Sequence, residues 1–146
     1  KQVDCFYYND IFYVFRKTKF EQIIGLVEEF KKQSKSVVRE LMDTGMINGL
    51  SIIEDQIESK PAIHRKLVRI QRIGNYRELS IEVLTKMQTV CLKYGDTLKI
   101  VGGKIQIEDE KDVDLTLKML SDYYKTGEVS GKAYGTYSGK QLDIVD

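Results

Sequence analysis

"LKIVGGKIQIEDEKDVDLTLKML", Leu98 to Leu120, carries a hairpin signal that runs straight into a helix signal. Two short apolar runs flank Gly102-Gly103, and glycine pairs suit the two-residue turn in which both central residues take positive φ. Asp109 stands where a helix N-cap belongs, and Val113, Leu117, Leu120 and Tyr124 follow as its core face. This succession predicts an α+β domain, with several helices packed on a small, mostly antiparallel sheet with β-hairpins.

The rest of the chain repeats the theme on both sides. Upstream, Ser80 predicts a helix cap, with Leu84, Met87, Cys91 and Tyr94 along one side and Gly95 beyond the end. Pro61 suits the first turn of the preceding helix and Gly74-Asn75 its end, with Ile63, Leu67 and Ile70 as a narrow apolar face. "MINGLSIIEDQI" fits either a short strand or a helical turn. Earlier still, Thr18 and Glu21 have capping-box spacing. Phe20, Ile23, Ile24, Val27 and Phe30 then recur helically, with a break near Gly25. Val37, Val38, Leu41 and Met42 continue the pattern to Gly45, a suitable C′ residue. At the front, "CFYYNDIFYVF" predicts a hairpin turning at Asn9-Asp10, apolar on both faces and so buried or covered on both sides. The tail "GEVSGKAYGTYSGKQLDI" predicts a loop plus a short strand or hairpin.

No linker, repeat or low-complexity tract divides the chain, so residues 1–146 read as a single domain. Hydrophobic residues at 42% and charged residues at 31% describe a globular chain, and a net charge of +1 supplies no global field toward nucleic acid. Any affinity for anions must be local. No apolar run is long enough to span a bilayer. Cys5 and Cys91 lack CxxC spacing and read as two buried small hydrophobes in a reducing compartment.

Catalytic patterns are incomplete. His64 is the one histidine, so any triad or Cys/His pair would rest on it alone. Set on a cationic helix, it reads as solvated or phosphate-facing. One His and two separated Cys cannot close a zinc site. "EDEKDVD", Glu108 to Asp114, clusters five acids, but acids at a helix start complement the dipole and their spacing misses the calcium-loop pattern. Glu58-Ser59-Lys60 matches a nuclease E-x-K fragment without the supporting strand pair and upstream Asp. "GTYSGK" is one residue short of a phosphate loop and lacks Ser/Thr after Lys140. Its glycines read as turns around Tyr134 and Tyr137; a second reading, from the flanking Lys132 and Lys140, is a nucleic-acid contact. The expectation is no enzyme, no metal and no cofactor.

"KPAIHRKLVRIQRIGNYR", Lys60 to Arg77, is the one strongly biased segment, with six Lys/Arg and no acid. Arg65, Arg69 and Arg72 fall on one side of the expected helix, with Lys66 close by and Lys60 and Arg77 flanking. Like charges at i, i+4 repel, so either acids from another element answer them or an external anion does. Glu54, Asp55 and Glu58 lie just upstream and could fold back. The ordinary reading is a solvated or internally paired face; the functional one is a duplex-DNA contact through Lys60, Arg65, Lys66, Arg69, Arg72 and Arg77.

Three ordered strings, "YYNDIFYVFRKTKFEQIIGL", "RKLVRIQRIGNY" and "GGKIQIEDEKDVDLTLKMLSDYYKTGEVSGKAYGTYSGKQL", resemble the C-terminal domain of KwaB-like proteins of the prokaryotic Kiwa anti-phage defence system. The resemblance runs from Phe6 to about Leu142. Family members are longer, so the chain reads as a fragment lacking an N-terminal half. It implies a cytoplasmic defence protein that binds DNA and is held at the inner face of the membrane by a membrane-embedded partner, KwaA. Homo-oligomerisation through the missing region is a further expectation. The basic helix carries over as Arg65, Lys66, Arg69 and Arg72. Three readings thus stand: a non-catalytic DNA-binding module, a protein-interaction or oligomerisation domain built on the aromatic strands, and a metal-dependent nuclease using Glu58, Lys60 and the acids of Glu108–Asp114.

Overall fold

The structure is a computed structural model describing residues 4–9, 11–137 and 139–144. Asp10 of the first turn, Ser138 and the side chain of Ile23 lie outside the described residues. The order is β1 (Cys5–Tyr8), β2 (Ile11–Val14), α1 (Lys17–Ile23), α2 (Leu26–Asp43), β3 (Ile47–Asn48), α3 (Ser51–Ser59) and α4 (Pro61–Ile73). A 3-10 turn (Asn75–Glu78) leads to α5 (Ile81–Lys93), β4 (Ile100–Val101), β5 (Lys104–Gln106) and α6 (Glu110–Leu120). Three short strands close the chain: β6 (Tyr124–Thr126), β7 (Ala133–Gly135) and β8 (Gln141–Leu142).

The α+β reading stands, with the strands divided among three small sheets. The Gly102-Gly103 turn forms as its residues dictate, with φ of 59° and 76°. It pairs Ile100 with Ile105 in antiparallel register. On its other side β5 pairs with β3 in parallel, Ile47 opposite Ile105. "MINGLSIIEDQI" therefore holds both of its readings in succession, strand β3 and then helix α3. Ser80 caps α5 by accepting from the Val83 amide, and Asp109 caps α6 by accepting from the Lys111 and Asp112 amides.

One core runs through the helical layer and reaches β5. α2 lies along α4, burying Val37, Val38 and Leu41 against Leu67 and Ile70, while Leu117 and Leu120 close it from α6. The chain breaks at Gly25, whose left-handed conformation separates α1 from α2. Two core assignments fail: Ile24 is 50% and Met42 42% exposed. Met42 follows Leu41 by 100° of helical turn, and Leu41 is the one over α4. Tyr124 leaves the α6 face altogether, because the helix ends at Leu120 and Tyr124 starts β6.

Two further expectations need correction. The capping box at Thr18 and Glu21 is not formed, because α1 already begins at Lys17 with Arg16 as a cap that makes no side-chain bond. The β1–β2 hairpin has the expected register, Phe6 opposite Tyr13 and Tyr7 opposite Phe12, yet it is exposed rather than covered. It leans on α1 through the Phe12 and Phe20 rings, 5.4 Å apart, leaving Tyr8 62% and Phe15 67% exposed. Cys5, at its start, is accordingly only half-buried. The tail is as expected, a loop and then the antiparallel β7–β8 hairpin, and β6, just before it, pairs with β7 to complete a three-stranded sheet. Gly135 makes that sheet possible: the Tyr123 ring lies where a Cβ would stand.

Candidate nucleic-acid interface

α4 is oriented by its apolar face. Ile63, Leu67 and Ile70 are buried, so the helix must turn its cations outward or toward its flanks. His64 goes inward with them, against expectation. It is 2% exposed and donates through Nε2 to the Ile57 carbonyl at 2.6 Å. The reason is local: Ile57 sits in the last turn of α3, where backbone carbonyls lack helical partners. A ring held this way faces no phosphate.

Four of the six basic side chains meet acids inside the fold. Arg65 Nη2 lies 3.1 and 2.9 Å from the two carboxylate oxygens of Glu21, which α1 lays over α4. Lys66 Nζ meets Asp114 at 2.6 Å, Lys60 Nζ meets Glu110 at 2.6 Å, and Arg77 Nη2 meets Glu40 at 3.0 Å. The repulsion along the helix is thus answered from α1, α2 and α6. Of the upstream acids, Glu58 turns the other way, binding Lys35 at 2.7 Å and Lys31 at 3.3 Å. Those two ammonium groups, Lys35 first, hold the Glu58 carboxyl below its ordinary range.

Arg69 and Arg72 differ. Among the described residues neither is paired with a carboxylate. Arg72 is exposed. Arg69 is half-buried, with its guanidinium over the Tyr137 ring at 5.5 Å and its Nε enclosed without a partner. With Arg65, Val68 and Phe30 they line a cleft of about 160 Å³ between α2 and α4. An apolar floor rimmed by three guanidinium groups suits an anion carried on an organic chain, since the planar fork of donors matches phosphate oxygens.

The other candidate chemistries disperse. Glu58 and Lys60, two residues apart, point to different partners. Asp109 is spent on the α6 cap, and Asp112 accepts from Lys99 at 2.9 Å and from the Glu108 amide at 3.0 Å. Asp114 binds Lys66 and Lys118; burial pushes its carboxyl up, but the two ammonium groups prevail and it sits below the usual range. Among the described residues no three His, Cys, Asp or Glu converge as a metal site would require.

Residues that the sequence left unassigned complete the site. Phe30 counted only as core, Glu21 as a capping residue, and Tyr137 as part of a glycine turn. The one signal for Tyr137 was its place between Lys132 and Lys140.

The family model described as Kiwa protein KwaB-like matches residues 1–130 of the chain. No curated protein and no solved structure matches it.

Proposed function

The chain belongs to the KwaB-like family of Kiwa proteins and is a component of that anti-phage defence system, and on this footing we propose that it is a DNA-binding module without a reaction of its own. The observation that carries the reading is the pair Arg69 and Arg72, guanidinium groups unanswered by acids among the described residues, beside the cleft floored by Phe30 and Val68. Arg65 joins them when a phosphate competes with Glu21. Lys60, Lys66 and Arg77 set a weaker surrounding field, because exposed ion pairs are worth only about 0–1 kcal/mol and exchange readily. Contacts of this kind follow the backbone and do not read bases. Two or three phosphates neutralised imply weak, steeply salt-dependent binding, on the order of 10⁻⁴–10⁻⁶ M.

Fluorescence anisotropy with a labelled duplex at two salt concentrations tests this. Binding should weaken as salt rises, and Arg69→Gln/Arg72→Gln should lose most of it. A folded double variant that binds like the wild type removes the helix from the interface. Turnover of DNA that vanishes in Glu58→Ala or Asp112→Ala would overturn the non-catalytic part.

A second reading has its own support. β1–β2 exposes Phe6, Tyr8, Ile11, Tyr13 and Phe15, a dense aromatic surface of the composition found at protein interfaces. It fits contact with a membrane-embedded KwaA-like partner at the inner face of the membrane, or with another copy of the chain. No described helix is itself long and apolar enough to cross a bilayer.

A further inference from the structure

Tyr137 lies past the span matched by the family model, in the turn that joins β7 to β8. Its ring meets two cations of the basic helix, Lys66 Nζ at 5.4 Å and Arg69 at 5.5 Å. The ring is itself fixed. Its hydroxyl contacts Ser121 Oγ at 2.5 Å, and Ser121 is buried at the end of α6. Its edge meets the Tyr123 ring with centroids 4.9 Å apart.

The two cations are held differently. Lys66 also binds Asp114, so its charge is answered. Arg69 has the ring and, among the described residues, no carboxylate. A ring face fixes a guanidinium through its quadrupole and does not occupy the in-plane N–H donors, whereas a carboxylate occupies them. We propose that Tyr137 is a positioning residue of the phosphate-binding site: the tail sheet holds the Arg69 guanidinium oriented, with its terminal donors turned to a phosphodiester. This rests on the DNA-binding reading and extends the site from one helix to a composite of α4 and the tail. It also gives the tail a role in binding that does not require its own lysines to touch the ligand.

The test is a double-mutant cycle on duplex DNA, measured as affinity and as salt slope. Tyr137→Leu should weaken binding roughly three- to tenfold, the equivalent of one cation–π contact. Its salt slope should become shallower by about 0.9, the share of one phosphate contact. Tyr137→Phe, which keeps the ring, should bind like the wild type. Tyr137→Gln, which has no ring, should repeat the leucine result and guard against a packing defect peculiar to leucine. In an Arg69→Gln background, Tyr137→Leu should add nothing. Wild-type affinity and slope in both ringless variants, or a tyrosine effect undiminished without Arg69, overturns the proposal. If Arg69→Gln/Arg72→Gln leaves binding intact, the DNA-binding reading itself fails and the proposal falls with it. If that variant weakens binding and the ringless ones do not, only the role of Tyr137 is lost.

Discussion

Cys91 shows how completely a side chain's environment decides its chemistry. It has no exposed surface, and burial, aided by Asp96, pushes its thiol up to about 11. Thiolate is the reactive form, so Cys91 should resist alkylation near neutral pH until the protein unfolds, while half-buried Cys5 reacts first. Mass spectrometry after a timed iodoacetamide pulse reads this directly, and equal labelling of both in the folded protein would contradict it. Leu67 tests the core on the other face of the basic helix. It is wholly buried, and Leu67→Ala should cost about 2–5 kcal/mol in a denaturant melt. A change near zero would mean that α4 is rotated. Ile63, Leu67 and Ile70 were legible in the sequence because helical periodicity is local. His64 was not, because its place depends on a carbonyl seven residues upstream, across a helix–helix turn. Glu21 misled for a similar reason: its spacing to Thr18 is visible, whereas its bond to Arg65 spans 44 positions.

Elements with their own start and stop chemistry were the readable ones. Ser80, Asp109, Pro61, Gly74 and the Gly102-Gly103 pair each act within a few residues, and each sits where that chemistry places it. The parallel partner of β5 was hidden, since Ile47 and Ile105 meet only after three helices have packed. Glu40 is the junction of α2 with the end of α4. It accepts from the Tyr76 hydroxyl, from Gln71 at 2.9 Å and from Arg77 at 3.0 Å. The tyrosine bond, with help from Gln71 and Arg77, outweighs burial and holds its carboxyl below the ordinary 4.5. A carboxylate depressed on folding stabilises above its unfolded pKa and loses that contribution as pH falls through the folded one. Stability should therefore decline as pH drops below about 4.5, and Glu40→Gln should flatten that part of the curve in urea melts. An identical acid limb in the variant would remove Glu40 from the linkage.

At the scale of the whole molecule, the surface divides into an aromatic hairpin and a basic cleft. Hairpin side chains this exposed carry little of the fold, so Tyr8→Ser/Phe15→Ser should shift stability by no more than about 0.5 kcal/mol per site. The same variant should abolish co-purification with a Kiwa partner if the hairpin is a contact surface; a large loss of stability would instead make it part of the core. The sequence pointed to the basic segment but not to its internal division, because four of the answering acids arrive from three other helices. That division is the central claim, and the salt dependence of duplex binding tests it most directly. Arg69→Gln/Arg72→Gln should reduce the slope of log affinity against log salt by about 1.8, two phosphate contacts. Lys60→Gln/Glu110→Gln, which removes a cation together with its partner, should leave the slope unchanged. The account is contradicted if the second variant flattens the slope and the first does not.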